Sequence, residues 1–157
     1  MLEFADMTMR FVCDRGVSHE IVRHRLFSYA QESTRYCNYK GGVAFIIPCW
    51  VDLPEGEYVI QNTVPTGDYA KDYWLTSMSL AETTYIGLIE HANWKPQQAR
   101  SVLPNSLKTE IVVKGNLREW MHFFKLRTHK KAHPQMQEVA NVALEIAREN
   151  VPVIFED

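Results

Sequence analysis

The run Arg23-His24-Arg25-Leu26-Phe27-Ser28-Tyr29-Ala30-Gln31-Glu32-Ser33-Thr34-Arg35-Tyr36 gathers three guanidiniums, an imidazole, several hydroxyls, an amide and a carboxylate into one short stretch. Arginine is rarely buried without a partner, and its planar fork meets phosphate or carboxylate oxygens two at a time. Ser33 and Arg35 occupy alternate positions, so an extended chain would point both the same way. The chemistry these residues suit is recognition of a phosphorylated ligand by a helix end and the loop after it. A solvated helix face with salt bridges to Glu20 or Glu32 is the competing account. Later in the chain, Arg100, Asn116, Arg118, His122 and Arg127 add donors. Taken singly, they read as surface arginines, a helix cap and a solvated i,i+4 pair. His19 and His24 have no further ligands at a usual spacing, so no metal site is expected.

The elements that must position these groups follow from periodicity. Residues 4–13 alternate, with Ala5, Met7, Met9, Phe11 and Cys13 on one side, which predicts a half-buried strand. A helix is expected from about Ser18 to Phe27, anchored by Ile21 and Val22. On it, Glu20, Arg23 and His24 would share a face and Arg25 would point away. Residues 38–65 are irregular, broken by Gly41-Gly42, Pro48, Pro54 and Pro65. A long helix is expected over residues 68–93, with a stripe of Trp74, Met78, Ala81, Tyr85, Leu88 and Ala92 that suits a core or a subunit interface. Pro96 opens a short helix carrying Arg100, and Pro104 stops it. Ser106 to Lys114 alternates again, with Leu107, Thr109, Ile111 and Val113 on one side. Gly115 is read as a turn and Asn116 as the cap of a helix ending near Arg127. Its expected apolar arc is Leu117, Trp120, Met121 and Phe124. A last helix starts at Pro134 and is expected to bury Val139, Val142, Ala143 and Ile146. This pattern is α+β: a small antiparallel or mixed sheet packed with one long helix and several shorter ones, as a single domain. Pairing of the two strands would bring the Arg23–Arg35 segment near the Asn116–Arg127 helix.

The chain has 157 residues, 46% apolar and 23% charged, with a formal net charge of −2. These values suit one soluble domain and give no global case for binding nucleic acid or a membrane. Between Arg10 and Lys40, however, six basic residues outnumber three acids, which favours a small anionic ligand. Cys13, Cys37 and Cys49 are an odd set without zinc spacing, and they read as reduced thiols in a cytoplasmic protein.

Arg-His-Arg, a seven-residue spacer from Leu26 to Glu32, then Ser33, continuing into Arg35-Tyr36, resembles the signature of the flavin-dependent thymidylate synthases. Ala99-Arg100-Ser101-Val102-Leu103-Pro104, Asn116-Leu117-Arg118 and Leu126-Arg127 resemble later blocks of the same family, in the same order. The resemblance implies reductive methylation of deoxyuridine monophosphate (dUMP) to thymidylate (dTMP). Methylenetetrahydrofolate would be the carbon donor, FAD the hydride carrier and NADPH the reductant. It also implies a homotetramer with active sites shared between subunits. It assigns dUMP binding to Glu20, Arg23, Gln31, Glu32, Ser33, Arg35, Arg100 and Arg127, and FAD binding to Arg23, His24, Arg25, Gln31, Asn116, Arg118 and His122. Arg127 is the implied catalytic residue, because a fixed cation that cannot deprotonate stabilises a pyrimidine ring losing its imide proton.

The sequence departs from the usual family pattern in several places. Ala30-Gln31 stands where Asn-Glu is common, Glu20 where glutamine is common, and His133 where glutamine is common. The resemblance also implies a further N-terminal segment ahead of Leu2-Glu3, with a histidine and small polar residues, which would complete the cofactor pocket. The alternative reading is a truncated, inactive relative that binds nucleotide or single-stranded nucleic acid through the Arg10–Lys40 patch.

Overall fold

The computed structural model describes residues 1–60 and 65–156. Part of the irregular 38–65 stretch therefore lies outside the described residues. In chain order the elements are β1 (Asp6–Asp14), α1 (Arg15–Ile21), β2 (Ser28–Gln31), α2 (Tyr69–Glu90), α3 (Pro96–Ala99) running into a 3-10 turn (Arg100–Val102), β3 (Lys108–Asn116), α4 (Leu117–Arg127), α5 (Pro134–Asn150) and α6 (Pro152–Phe155). This is the expected α+β class. Among the described residues, no helix is long and apolar enough to cross a membrane. The chain packs as two compact units, Met1–Gln31 with Thr109–Asp157, and Glu32–Lys108.

In the first unit the strands run in the order β1-β3-β2, with β2 antiparallel to β3 and Ser28 opposite Lys114. The alternation in β1 and β3 turns Phe11, Cys13, Ile111 and Val113 inward. They meet Trp120, Phe123 and Phe124 of α4 and Met136, Ala140, Ala143 and Ala147 of α5 in one core. Trp120 is fully buried, and its indole N–H donates to the Met7 carbonyl at 3.0 Å, so its polar atom is satisfied.

Several boundaries differ from expectation, each for a tertiary reason. α1 begins at Arg15, not Ser18, because the buried Asp14 caps it, accepting from the Val17 N–H at 2.6 Å. It ends at Ile21, not Phe27. The carbonyls of Ile21 and His24 instead accept from the His24 and Phe27 N–H groups in successive turns at 3.2 Å, and the Tyr29 hydroxyl, 2.8 and 2.6 Å from the same two oxygens, pins those turns. Arg23, His24 and Arg25 thus lie in tight turns, and the shared helix face expected for Glu20, Arg23 and His24 does not exist. Ser28–Gln31, expected as loop, is strand β2. Gly115, expected as a turn, lies inside β3. On α4, Met121 is 43% exposed and the fully buried Phe123 takes its place. On α5 the expected Val142 and Ile146 are exposed, and the buried stripe is Met136, Ala140, Ala143 and Ala147. Three alanines let α5 approach α4 closely, which a β-branched stripe would prevent.

In the second unit, Asp68 caps α2 by accepting from the Ala70 and Lys71 N–H groups. α2 packs against α3 and the 3-10 turn, burying Met78, Tyr85 and Ala99. From the expected α2 stripe, Met78 and Tyr85 are buried, and Ala92 is exposed beyond the end of the helix. The Glu82 carboxylate accepts from the Val43 N–H at 2.8 Å, and Phe45 pairs with Leu107 in an isolated antiparallel bridge.

Candidate active site

The turns after α1 and the outer flank of α4 border an open pocket of about 360 Å³ in the first unit. That is within the size range of small-molecule sites. Arg23, His24, Arg25 and Leu26 line one wall, and Glu119, His122, Leu126 and Arg127 the other. At about 100° per residue, Glu119, His122 and Leu126 share one flank of α4, which is why they face the same space.

Arg127, the last residue of α4, is held by three hydrogen bonds. Its Nη1 donates to Glu20 Oε2 at 2.7 Å and its Nη2 to the Glu20 carbonyl at 3.0 Å. Its Nε donates to His24 Nε2 at 2.9 Å. The guanidinium therefore sits over the carbonyl end of α1, where the helix dipole favours a cation. Its side chain is only 19% exposed, so it is not the ordinary surface arginine of the competing account.

An arginine nitrogen can only donate, so His24 Nε2 must carry its lone pair and the ring proton must sit on Nδ1. Burial pushes the His24 pKa down to about 4, with the Arg127 charge and then His122 adding to the effect. A neutral imidazole turns this Nδ1 toward Glu119 Oε1 at 3.7 Å. That distance is too long for a hydrogen bond, so the contact is charge to dipole rather than an ion pair. Burial and then Glu119 raise the Tyr29 pKa to about 12, which keeps its hydroxyl as the donor to Ile21 and His24.

His24, Glu119 and His122 lie close enough together that one ligand atom from each could meet a metal ion. Their surroundings oppose that use. Three arginines line the same pocket, and the Arg127 hydrogen bond occupies the His24 lone pair. Sequence reading missed Glu119. It sits in the first turn of a helix, where an acid is ordinary, and only the packed fold brings it to His24.

The structure brings Glu20, Arg23, His24, Arg25, His122 and Arg127 together. Other candidates in this unit stand elsewhere. The Gln31 amide donates to Ser18 Oγ at 2.9 Å and Thr109 Oγ1 at 3.3 Å. Asn116 caps α4 as expected, its side chain accepting from the Glu119 N–H at 2.9 Å. Arg118 does not form the expected i,i+4 pair but reaches back to Glu3, while His122 turns into the pocket.

Glu32, Ser33, Arg35 and Arg100 belong to the second unit. There the N–H groups of Tyr36 and Cys37 both donate to the Ser33 carbonyl, so this segment is a turn and not the extended loop expected. Arg35 is exposed and lies over the Tyr36 ring, 5.4 Å from its centroid. Arg100 Nη1 donates to the buried Thr34 hydroxyl at 3.0 Å, which joins the 3-10 turn to the Ser33–Arg35 turn across 66 residues of sequence. Glu32 accepts from the Tyr39 hydroxyl at 3.3 Å. Burial, then the Glu32 carboxylate, raises the pKa values of Tyr39 and Cys37, so neither is an activated nucleophile.

The thymidylate synthase complementing protein family matches residues 1–153. This chain belongs to that family. It is 32% identical over 143 residues to a flavin-dependent thymidylate synthase of Corynebacterium diphtheriae, covering 91% of this chain and 57% of that protein. It is 33% identical over 164 residues to one from Corynebacterium aurimucosum, covering 100% of this chain and 64% of that protein. It is 30% identical over 159 residues to one from Geobacter sulfurreducens, covering 100% of this chain and 62% of that protein. The chain thus spans about three fifths of the length of these curated relatives.

Two departures of this family member have structural counterparts. Glu20 places a carboxylate, rather than an amide, against the Arg127 charge. Gln31 makes two hydrogen bonds to hydroxyls, a task that needs no charge.

His24 also gives this family member a defined pH response. Its folded pKa of about 4 lies below its ordinary value of 6.5. Between those values the unfolded chain holds a proton that the native chain lacks, so stability rises with pH. The contribution is complete above pH 6.5 and is lost as pH falls toward 4, with a slope of up to about 1.4 kcal/mol per pH unit. Urea unfolding of wild type and His24→Gln at pH 4.5 and 6.5 should show a smaller pH dependence in the variant. Equal dependence in both would rule out this titration.

Proposed function

We propose that the chain catalyses reductive methylation of dUMP to dTMP, with methylenetetrahydrofolate as carbon donor, FAD as hydride carrier and NADPH as reductant. The observation that carries the reading is Arg127. A guanidinium fixed by three hydrogen bonds lies in a pocket with Arg23 and Arg25 beside it. Membership of the family, and relatives named for a flavin-dependent thymidylate synthase, support it.

The donor set suits these ligands. Arg23 and Arg25 supply charge for phosphates, His122 supplies an imidazole, and Leu26 and Leu126 supply apolar surface for a flat ring. Bound FAD, once reduced, would supply the hydride. The chain's own residues orient and stabilise. Arg127 places a permanent cation where the pyrimidine ring gains negative charge. Ser33, Arg35 and Arg100 would hold the dUMP phosphate and base, with Glu20, Gln31 and Glu32 lending acceptors and donors. Asn116 and Arg118 would contact the flavin. The same proposal includes a cytoplasmic homotetramer whose subunits share active sites.

The test is a visible absorption spectrum with added FAD, followed by tritium release from dUMP labelled at the carbon that is methylated. Flavin absorbance retained after gel filtration, and release that requires folate and NADPH, is the expected result. A colourless protein whose nucleotide binding is governed by salt alone would replace this reading with a binding module.

A further inference from the structure

We propose that His24 is a positioning residue for Arg127: its Nε2 receives the Arg127 Nε–H, and this bond with the two to Glu20 fixes the plane of the guanidinium so that the remaining donors serve the ligand. The proposal rests on the reading of the pocket as the dUMP site.

Arginine has five N–H donors in a rigid fork. Three are engaged by His24 Nε2, the Glu20 carboxylate and the Glu20 carbonyl. Two remain on the same planar group. A guanidinium held only by Glu20 would keep its charge near the pocket but could tilt about that edge. The bond at Nε removes this freedom, because it holds the fork at the stem as well as at the tips.

His24 is suited to the task because its ring cannot turn away. It is 7% exposed and packs edge-on against Phe123 at 4.9 Å, with Phe27 and His122 at 6.1 Å. Its backbone is pinned by the Tyr29 hydroxyl and by the Phe27 N–H, both of which donate to the His24 carbonyl. The Nδ1 side faces the Glu119 carboxylate, which favours the tautomer that leaves Nε2 free to accept. A carboxylate, an imidazole, a guanidinium and a second carboxylate thus follow one another from α4 to α1. A core histidine with only a packing role would have no reason to offer its one lone pair to the pocket's arginine.

The test uses the full chain with FAD added and compares His24→Leu with His24→Gln, whose side-chain carbonyl can reach the acceptor position. The direct readout is nitrogen-15 NMR of the Arg127 Nε–H, assigned by its disappearance in Arg127→Lys. In wild type and His24→Gln this proton should be protected from exchange with water. In His24→Leu it should exchange freely. Calorimetry with dUMP should show about tenfold weaker binding in His24→Leu, and turnover should fall about a hundredfold, as expected when a catalytic group is misplaced by about 1 Å. His24→Gln should recover most of both losses.

An Arg127 Nε–H still protected in His24→Leu would overturn the proposal. So would a His24→Leu protein that is merely less stable in urea, with kcat, KM and dUMP affinity unchanged. If wild type shows no turnover, the proposed function fails, while the NMR signal and dUMP affinity still decide whether His24 positions Arg127.

Discussion

Arg127→Ala is expected to lower turnover by about 10²–10³-fold, the loss seen when one preorganised donor to a developing anion is removed. The fold should survive. Arg127 bridges α1 and α4, but the Glu20 carboxylate it leaves behind is one-third exposed and can rehydrate. The larger structural cost is the buried His24 Nε2, which loses the donor it has among the described residues, at about 1–3 kcal/mol. Urea unfolding should therefore shift by no more than about 1–3 kcal/mol, leaving a folded protein, while tritium release nearly disappears.

Arg127→Lys should not restore turnover. A lysine ammonium is a point charge on a flexible stem, and it cannot meet His24 and both Glu20 oxygens while still presenting donors in one plane. Lysine keeps the charge and loses the fork, so the pair of variants separates electrostatics from geometry. Turnover near normal in Arg127→Ala would remove this residue from the chemistry. Recovery in Arg127→Lys would show that charge alone is enough, and the precise orientation argued for the guanidinium would then have no catalytic consequence.

What the sequence discloses is what local physics decides. The alternation of β3 and the cap at Asn116 need only neighbouring residues, and both stand in the structure as read. The N-terminus of α5 at Pro134 is legible for the same reason. The end of α1 is not, because it depends on the Tyr29 hydroxyl and on pairing between β2 and a strand some eighty residues later. The buried face of α5 misleads because size of side chain suggests Val142 and Ile146, whereas close helix packing selects the alanines. In the site, the resemblance singles out Arg127, yet its partners are 103 and 107 residues away, and spacing along the chain contains no trace of them. Glu119 is hidden for the opposite reason, since its position in the first turn of α4 already has a sufficient local explanation.

Gly115→Ala is expected to be among the most destabilising single substitutions outside the pocket. Gly115 does not have positive φ, so the reason for glycine there is space and not backbone conformation. A Cβ at this position would lie 2.0 Å from Phe27 Cδ1 and 2.3 Å from Cε1. The Phe27 ring has nowhere to go. It sits 4.6 Å from Trp120 and 5.9 Å from Phe123, both fully buried. Overpacking costs about 1–3 kcal/mol where a core can adjust, and this strand-on-ring contact should reach at least the upper end. The damage should also reach the pocket, because Phe27 packs against His24 at 6.1 Å and the chain between them makes the turn that carries Arg25. The measurement is a double-mutant cycle by urea unfolding with Phe27→Leu. Each single variant should be destabilised, and Gly115→Ala should cost less once the ring is gone, a coupling of about 1–3 kcal/mol between neighbours. Strictly additive effects would mean that Gly115 is needed for something other than room for Phe27.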